Sequence, residues 1–297
     1  MRLSDIYIRD PFVLEENGVY YLYGTMGKYS WEGGCGFDVY VSRDLKEWSD
    51  PVPVFRPEAG FWADKNFWAP EVHKYRDSFV MLASFYREGA MRATHILRAD
   101  SPMGPFVPVS PEPQTPAGWM CLDGTLHVDE QGKPWMVFCH EWLQVTDGEI
   151  CALSLREDLT RAAGEPVLLF RASQAAWTIN GKMGEYITDG PFLYRKADGE
   201  LLMLWSSFGR TGYALAVAHS RSGSVLGPWV NEEKPLFSCN GGHGMLFRDR
   251  RGVLTLSLHQ PDHPYGLERP AFIPVKESRE RGLELMETYP EPLCLEA

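Results

Sequence analysis

One arrangement of apolar and polar positions recurs five times along the chain. Each copy has a polar or charged residue, a short apolar run, a turn rich in Gly, Asp, Glu or Asn, and a second run dense in aromatic and β-branched residues. This arrangement is typical of a β-hairpin. The copies are RDPFVLEENGVYYLYGT from Arg9, APEVHKYRDSFVMLASF from Ala69, LDGTLHVDEQGKPWMVF from Leu122, TDGPFLYRKADGELLMLWSSF from Thr188 and GHGMLFRDRRGVLTLSLHQ from Gly242.

A further strand-like run follows each hairpin. These runs are FDVYVSRDLKEW, ATHILRADSPMGPF, EICALSLREDL, YALAVAHSRSGSVLGPW and the shorter AFIPVKE. No amphipathic helix longer than two turns and no Ser/Gly-rich linker interrupts the series. A supersecondary unit repeated along the whole chain is typical of a propeller or another repeat architecture. The pattern therefore predicts an all-β, single-domain five-bladed β-propeller over residues 1–297, with about four strands in each blade.

Composition excludes several classes of partner. The 297 residues carry 29 Lys and Arg against 40 Asp and Glu, a formal net charge of -11, with no basic run. This charge repels phosphate backbones, so we expect no nucleic acid partner. No stretch approaches 18 consecutive apolar residues, and the amino terminus lacks the apolar core of a secretory signal. We therefore expect no membrane partner and a cytoplasmic location, and the sequence leaves the oligomeric state open.

Acidic residues recur where the first strand of each repeat begins. Aligning the repeats places Asp10, Glu71, Asp123, Asp189 and His243 at this position. The first strands of propeller blades face a central channel, so we expect these side chains to meet at one end of the axis. Two carboxyl groups across a sugar can hydrolyse its acetal, one activating water and the other protonating the leaving oxygen, and a third can tune the acid.

These motifs resemble those of glycoside hydrolase family 43. The matching motifs are RDP at Arg9, WAPE at Trp68, DGT at Asp123, DGP at Asp189 and GHG at Gly242, in the family's order over nearly the whole chain. The resemblance implies a five-bladed propeller that cleaves α-L-arabinofuranosyl or β-D-xylosyl linkages with inversion and requires no cofactor.

The resemblance also implies roles for individual residues. It makes Asp10 the general base, Asp123 the carboxylate that tunes the acid, and Trp68 an apolar wall for the sugar. His243 matches an axial histidine that lies beside a structural Ca²⁺ or Na⁺ in many members. Arg269 matches a late arginine that pairs with the base. Glu71, after Pro70, is interpreted as a structural or hydroxyl-binding residue.

The chain departs from the family at the general acid, which is usually Glu in an EGP motif. Asp189 stands there instead, and its carboxyl is one methylene shorter, a difference that can impair proton transfer. Either the backbone comes closer, or another residue is the acid, or catalysis is lost. Glu141 in CHEW is our preferred substitute, with Trp142 beside it as a stacking surface, and Glu185 is a weaker candidate.

The sequence thus predicts an inverting, exo-acting glycosidase that removes arabinofuranosyl or xylosyl units from short plant-derived oligosaccharides. A non-catalytic sugar-binding propeller, a structural or protein-binding propeller with a plugged funnel, and a related glycosidase or phosphorylase of other specificity are the alternatives.

Other aromatic and histidine residues have less specific interpretations. We expect most aromatic residues to pack between blades. His259 and His263 are assigned to a closing loop at the pocket rim. The tryptophans in longer connections are candidates for sugar stacking, namely Trp31, Trp62, Trp68, Trp119, Trp142 and Trp177.

Overall fold

The computed structural model describes residues 1–31 and 35–286, and β-strands dominate them. Every four consecutive strands form one antiparallel sheet. The first sheet contains β1 (Ile8–Glu16), β2 (Val19–Met26), β3 (Phe37–Ser42) and β4 (Val52–Phe55). The second contains β5 (Lys65–Tyr75), β6 (Ser78–Tyr86), β7 (Ala93–Ala99) and β8 (Val107–Pro108). The third contains β9 (Cys121–Val128), β10 (Pro134–His140), β11 (Glu149–Ser154) and β12 (Val167–Arg171).

The last two sheets repeat the same order. The fourth contains β13 (Asp189–Arg195), β14 (Leu201–Gly209), β15 (Gly212–Ser220) and β16 (Trp229–Asn231). The fifth contains β17 (Gly242–Arg248), β18 (Leu254–Gln260), β19 (Arg269–Ser278) and β20 (Gly282–Leu285). Helical segments are short: α1 (Trp142–Val145) and 3₁₀ turns at Leu3–Asp5, Gly27–Tyr29 and Ala172–Gln174. The predicted all-β, five-bladed propeller is confirmed.

The first strands form the inner ring of the propeller. Each first strand contacts the first strands of the two neighbouring sheets, and β17 contacts β1. The ring is therefore closed by packing between the first and last blades. Ser257 of β18 also donates a hydrogen bond to the carbonyl oxygen of Pro11 at 2.8 Å across this closure.

Each inner strand is interrupted by a bulge at its start. The pairing of every first strand with its second strand shifts register there. One residue at each bulge has a left-handed backbone, which is uncommon for residues other than glycine. These residues are Asp10 (φ 52), Ala69 (φ 46), Asp123 (φ 54), Gly190 (φ 50) and His243 (φ 51). Five equivalent bends thus turn five inner strands toward the axis.

The amide of the bulge residue is bonded to another blade in all five cases. Four acceptors lie on the second strand of the preceding blade, and in the fourth blade the acceptor is a carboxylate. Thr25 Oγ1 accepts from Ala69 at 2.7 Å, Ser84 Oγ from Asp123 at 2.8 Å, Ser206 Oγ from His243 at 2.8 Å, His259 Nδ1 from Asp10 at 3.2 Å, and Asp123 Oδ2 from Gly190 at 3.1 Å. Hydrogen bonds between blades thereby satisfy the buried amides of the inner ring and fix its shape.

The apolar core lies between the blades. A group of phenylalanines, including Phe37, Phe55 and Phe85, packs between the first two blades. The ring centres of Trp177 and Trp205 lie 4.9 Å apart, between the third and fourth blades. Most buried aromatic residues therefore pack between sheets as expected, and Trp177 belongs to this core, away from any sugar-stacking position.

Candidate active site

One cavity of about 310 Å³ opens at the inner ring and contains the acidic residues singled out in the sequence. It is lined by Arg9, Asp10, Thr25, Ser30, Trp31, Trp68, Arg92, Leu122, Asp123, Glu141, Trp142, Leu143, Asp189, Tyr213 and His243. Asp10, Asp123 and Asp189 come from three different blades and share this cavity. Asp189 lines the cavity, and the funnel is open at this end, in contrast to the plugged funnel expected of a structural propeller.

The bulges correct the alignment of the repeats. Asp10, Asp123 and His243 are bulge residues, as aligned, but the bulge residue of the fourth blade is Gly190, so Asp189 lies one position earlier. In the second blade it is Ala69, so Glu71 lies two positions later. Glu71 is outside the lining set and lies within hydrogen-bond distance of His73 Nε2, at 3.0 Å. This partner favours the structural interpretation of Glu71 over a hydroxyl-binding role.

Asp10 is surrounded by groups that favour its ionised form. Its Oδ2 accepts a hydrogen bond from Thr25 Oγ1 at 2.5 Å, and its Oδ1 lies 3.2 Å from His243 Nδ1. Burial raises the pKa of Asp10, but His243, His259 and Arg9 outweigh burial and hold the pKa below its ordinary value. Asp10 is therefore a carboxylate at neutral pH, the form that a general base requires.

Asp123 also lies close to His243. Its Oδ2 lies 3.8 Å from His243 Nδ1 and accepts the Gly190 amide, while Ser84 holds its own amide. Burial raises the pKa of Asp123 to about 6, with His243 opposing this rise and Asp10 adding to it. Burial lowers the pKa of His243, but Asp10, Asp123 and Asp189 outweigh burial and raise the pKa above its usual value.

Asp189 lies beside a tyrosine hydroxyl and a second carboxyl group. Its Oδ2 accepts a hydrogen bond from the hydroxyl of Tyr213 at 3.0 Å. Burial raises the pKa of Asp189 well above its ordinary value, and the neighbouring Asp123 raises it further. Asp10 and Asp189 in one cavity thus have pKa values displaced in opposite directions. This is the arrangement that separates a base from an acid.

Glu141 lies in the same cavity but is bound to a cation. Its Oε2 accepts a hydrogen bond from Arg92 Nε at 3.1 Å, and both side chains are almost fully buried. Burial raises the pKa of Glu141, and Arg92 partly offsets that rise. The Arg92 guanidinium also lies 4.2 Å from the ring centre of Trp68 and donates to Asn66 Oδ1 at 3.2 Å. Glu141 therefore holds the arginine that supports Trp68.

Aromatic side chains form the walls of the cavity. Trp68 donates its indole N–H to the carbonyl oxygen of Ser30, and the ring centre of Trp31 lies 5.4 Å from that of Trp68 and 5.2 Å from that of Tyr265. Trp142 lines the cavity from α1. The other tryptophans proposed for stacking lie elsewhere: Trp62 donates to His95, and Trp119 stacks on His140.

Arg269 does not pair with Asp10, the predicted base. Its guanidinium donates to the carbonyl oxygens of Ser4, Gly266 and Glu268, and it is outside the lining set. The arginine near Asp10 is its sequence neighbour Arg9, which lines the cavity and pairs with Asp262 at 2.6 Å and Glu268 at 2.9 Å. Glu185 accepts the amide of Met183 in a loop and is likewise absent from the lining set.

Several lining or supporting residues are not singled out by the sequence. Arg92, Tyr213 and Thr25 line the cavity, and no motif surrounds Arg92 or Tyr213. Thr25 and Ser84 occupy equivalent positions near the ends of the second strands of the first and second blades, and this repeat could have identified Thr25 from the sequence. His259 does not lie at the pocket rim, because it is fully buried beside Asp10 and accepts its amide.

The residues around His243 offer few ligands for an ion. In the part of the chain that the structure describes, no group of three His, Cys, Asp or Glu side chains is arranged to hold a metal. Ca²⁺ usually takes six to eight oxygen ligands, whereas the His243 Nδ1 faces the Asp10 carboxylate. These side chains alone do not build a cation site, and an ion beside His243 stays a prediction.

The family follows from the sequence profile. Residues 5–279 match glycosyl hydrolases family 43. The chain belongs to this family. A solved structure described as endo-arabinase from Bacteroides thetaiotaomicron VPI-5482 is 42% identical to this family 43 protein, covers 94% of this chain and 98% of that chain, and has a TM-score of 0.87.

Other solved structures share the fold of this family 43 protein at lower identity. The endo-1,4-beta-xylanase from Bacteroides thetaiotaomicron VPI-5482 is 23% identical over 95% of both chains, with a TM-score of 0.78. The alpha-L-arabinofuranosidase from Lactobacillus brevis is 17% identical over 95% of this chain and 96% of that chain, with a TM-score of 0.75. No curated protein matches this chain significantly. Among the described residues, no helix is long and apolar enough to cross a membrane.

Proposed function

We propose that this family 43 protein is an inverting glycosidase that releases α-L-arabinofuranosyl units from short oligosaccharides. The observation that carries the proposal is the pair of opposite pKa displacements within one cavity: the pKa of Asp10 is held below its ordinary value, whereas that of Asp189 is raised well above it. A carboxyl group with a lowered pKa is suited to act as the base and one with a raised pKa as the acid, and together they can hydrolyse an acetal.

Each side chain has a defined part in this reaction. Asp10 removes a proton from water as the water oxygen attacks the anomeric carbon, and Asp189 gives its proton to the departing oxygen. Burial raises the pKa of Asp189, and the negative charge of Asp123 raises it further. Trp68 offers an apolar face for the sugar. Glu141 is not assigned as the acid, because its carboxylate is paired with Arg92, the arginine that supports Trp68.

The choice of sugar is supported by the most informative relative. The 42% identical structure is described as an endo-arabinase, which favours arabinofuranosyl over xylosyl substrates. The cavity volume of about 310 Å³ is at the small end of the range for ligand pockets, which favours release of one terminal sugar from a short chain. Internal cleavage of arabinan is the second candidate, favoured by the description of that relative. We place the activity in the cytoplasm, on imported oligosaccharides.

The Asp10→Asn variant tests the base. The amide keeps the size of the side chain but cannot accept the proton of water, so we expect kcat/KM on arabino-oligosaccharides to fall by at least about 100-fold, the scale of general base catalysis. The melting temperature should stay close to that of the parent protein. Asp129→Asn is the matched control, because Asp129 binds turn amides and Trp135 in the third blade, outside the cavity lining. Substantial activity in Asp10→Asn would disprove this assignment.

The products define the reaction. NMR of the first turnovers should give β-arabinofuranose from an α-linked substrate, because water attacks from the face opposite the leaving group. Release of single sugars from arabinotriose, with little loss of arabinan viscosity, is expected for an exo mode. Retained configuration would refute the mechanism, rapid loss of viscosity would favour the endo alternative, and faster turnover of xylo-oligosaccharides would reverse the choice of sugar. Turnover that depends on phosphate would indicate a phosphorylase.

A further inference from the structure

The hydroxyl of Tyr213 is bonded to the carboxyl group of Asp189. It donates to Oδ2 at 3.0 Å from the start of β15, the strand that follows the Asp189 hairpin. Burial and the nearby Asp189 carboxyl raise the pKa of Tyr213 well above its ordinary value. Tyr213 therefore keeps its proton and acts only as a donor toward Asp189.

The position of this hydroxyl is fixed by the packing of its ring. Tyr213 is 3% exposed and lies nearly parallel to His259, with ring centres 5.7 Å apart. The backbone of Gly242 covers another part of the ring, where a Cβ atom would come within 2.7 Å of Tyr213 Cε1. The amide of Gly241 donates to the carbonyl oxygen of Tyr213 at 3.0 Å. Because packing fixes the ring of Tyr213, its hydroxyl group fixes the position of the Asp189 carboxyl group.

We propose that Tyr213 is a positioning residue that aims the proton of Asp189 at the leaving oxygen. The inference rests on the proposed function, in which Asp189 is the general acid. An uncharged carboxyl group accepts a hydrogen bond best at its carbonyl oxygen, so a donor on Oδ2 leaves the proton on Oδ1. Only one of the two oxygens is then available to protonate the substrate.

This arrangement explains how a short acid can serve the site. Asp189 lies next to Gly190, whose left-handed backbone fits against the His243 ring, where a Cβ atom would approach to 2.7 Å. The missing side chain lets the backbone pack against His243, and the hydroxyl of Tyr213 then fixes the position of the shorter carboxyl group. Proton transfer requires near-contact geometry, so orientation of this group affects the rate directly.

The proton balance of the step is complete. The bond between water and the anomeric carbon forms while the bond from the anomeric carbon to the leaving oxygen breaks. The proton of water goes to Asp10, and the Oδ1 proton of Asp189 goes to the leaving oxygen. The Tyr213 hydroxyl stays bonded to Oδ2 of the new carboxylate and stabilises its charge. Solvent then returns each aspartate to its starting form.

Tyr213→Phe tests the proposal through its dependence on the leaving group. An alcohol leaving group needs a proton, whereas a 2,4-dinitrophenolate group departs without one. We therefore expect kcat for arabinobiose to fall at least about tenfold in Tyr213→Phe, a part of the contribution of a general acid, while kcat for the dinitrophenyl arabinofuranoside stays within about twofold. A purely structural loss would lower both rates together.

Tyr194→Phe is the matched control on the same blade. The Tyr194 hydroxyl also donates to a carboxylate, Glu277 Oε1 at 2.7 Å, but this residue is outside the cavity lining. We expect both kcat values of Tyr194→Phe to match those of the parent protein. The leaving-group-dependent loss should be confined to Tyr213→Phe.

The results distinguish the role of Tyr213 from the hydrolase activity itself. Equal loss on both substrates, or no loss on either, overturns the role of Tyr213 while leaving the hydrolase assignment intact. A parent protein that hydrolyses neither substrate overturns the proposed function itself. If Asp189→Asn keeps its activity on arabinobiose, Asp189 is not the acid, and the inference falls with that assignment.

Discussion

Replacing Arg92 by methionine removes one partner of an ion pair that water barely reaches. The side chains of Arg92 and Glu141 are 7% and 2% exposed, and Nε and Oε2 are 3.1 Å apart. Methionine keeps an unbranched apolar stem but lacks the charged guanidinium group. The Glu141 carboxylate would then be left in a buried site with no cation to stabilise it.

The cost follows from this geometry. Removing one partner of a buried ion pair generally costs about 3–5 kcal/mol, because the remaining charge is buried without compensation. At these exposures solvent screening gives little relief, so we expect the free energy of unfolding of Arg92→Met to fall by about 3–5 kcal/mol at pH 7.5. Arg92→Lys keeps a cation but loses the planar donor over Trp68, so we expect its free energy of unfolding to lie between those of Arg92→Met and the parent protein.

The pH dependence gives a second signature of the same pair. Burial raises the pKa of folded Glu141, and Arg92 opposes that rise. Without Arg92 the folded pKa rises further above its unfolded value, so the folded protein binds the extra proton first and its stability falls as the pH increases through this window. The deficit of Arg92→Met should therefore be largest near pH 7.5 and shrink towards pH 5.

Urea unfolding followed by tryptophan fluorescence measures these differences, with Arg92→Met, Glu141→Gln and the double variant forming a cycle. The double variant should be more stable than the sum of the single losses predicts, because the neutral amide no longer needs a cation. A loss below about 1 kcal/mol for Arg92→Met, which is the scale of solvent-exposed ion pairs, would refute the reasoning.

Two further predictions concern the inner ring. Thr25→Val removes the hydroxyl group that donates to Asp10 and accepts the Ala69 amide. We expect its kcat/KM to fall by about tenfold, as for other lost hydrogen bonds to a charged group, whereas Thr25→Ser should retain activity. Equal kinetics for the two variants would contradict this. Gly190→Ala places a Cβ atom 2.7 Å from His243, whereas Gly199→Ala, also at positive φ, meets open space. Thermal unfolding should show a clearly greater loss in Gly190→Ala, with loss of activity, and equal losses would exclude the contact with His243 as the cause.

The sequence predicted the fold because every blade repeats the same hairpin pattern. Turn residues and alternating apolar runs are local signals, and five copies in register strengthen each other. The pocket acids Asp10, Asp123 and Asp189 were predicted for the same reason. The alignment of the repeats was wrong for Glu71 and Asp189, because the extra residue of a bulge shifts the strand register without leaving a pattern in the sequence.

Residues that act across blades were not predictable in this way. Arg92 is a single basic residue between two strands, and its partners Glu141 and Trp68 are distant along the chain. Arg269 has the sequence context of a site arginine, but its guanidinium binds backbone carbonyl oxygens close to its own strand. Such pairings depend on how neighbouring sheets pack, and no local pattern records that geometry.

The asymmetry of the site arises from an almost symmetric backbone. All five bulges have the same left-handed conformation, but His243, His259 and Arg9 outweigh burial at Asp10, whereas at Asp189 the charge of Asp123 adds to burial and His243 opposes it only in part. Because residues of the same type occupy both environments, burial alone cannot account for the opposite displacements of their pKa values. The charges on the adjacent blades decide them, so the position of an aspartate in the ring determines whether it serves as a base or as an acid.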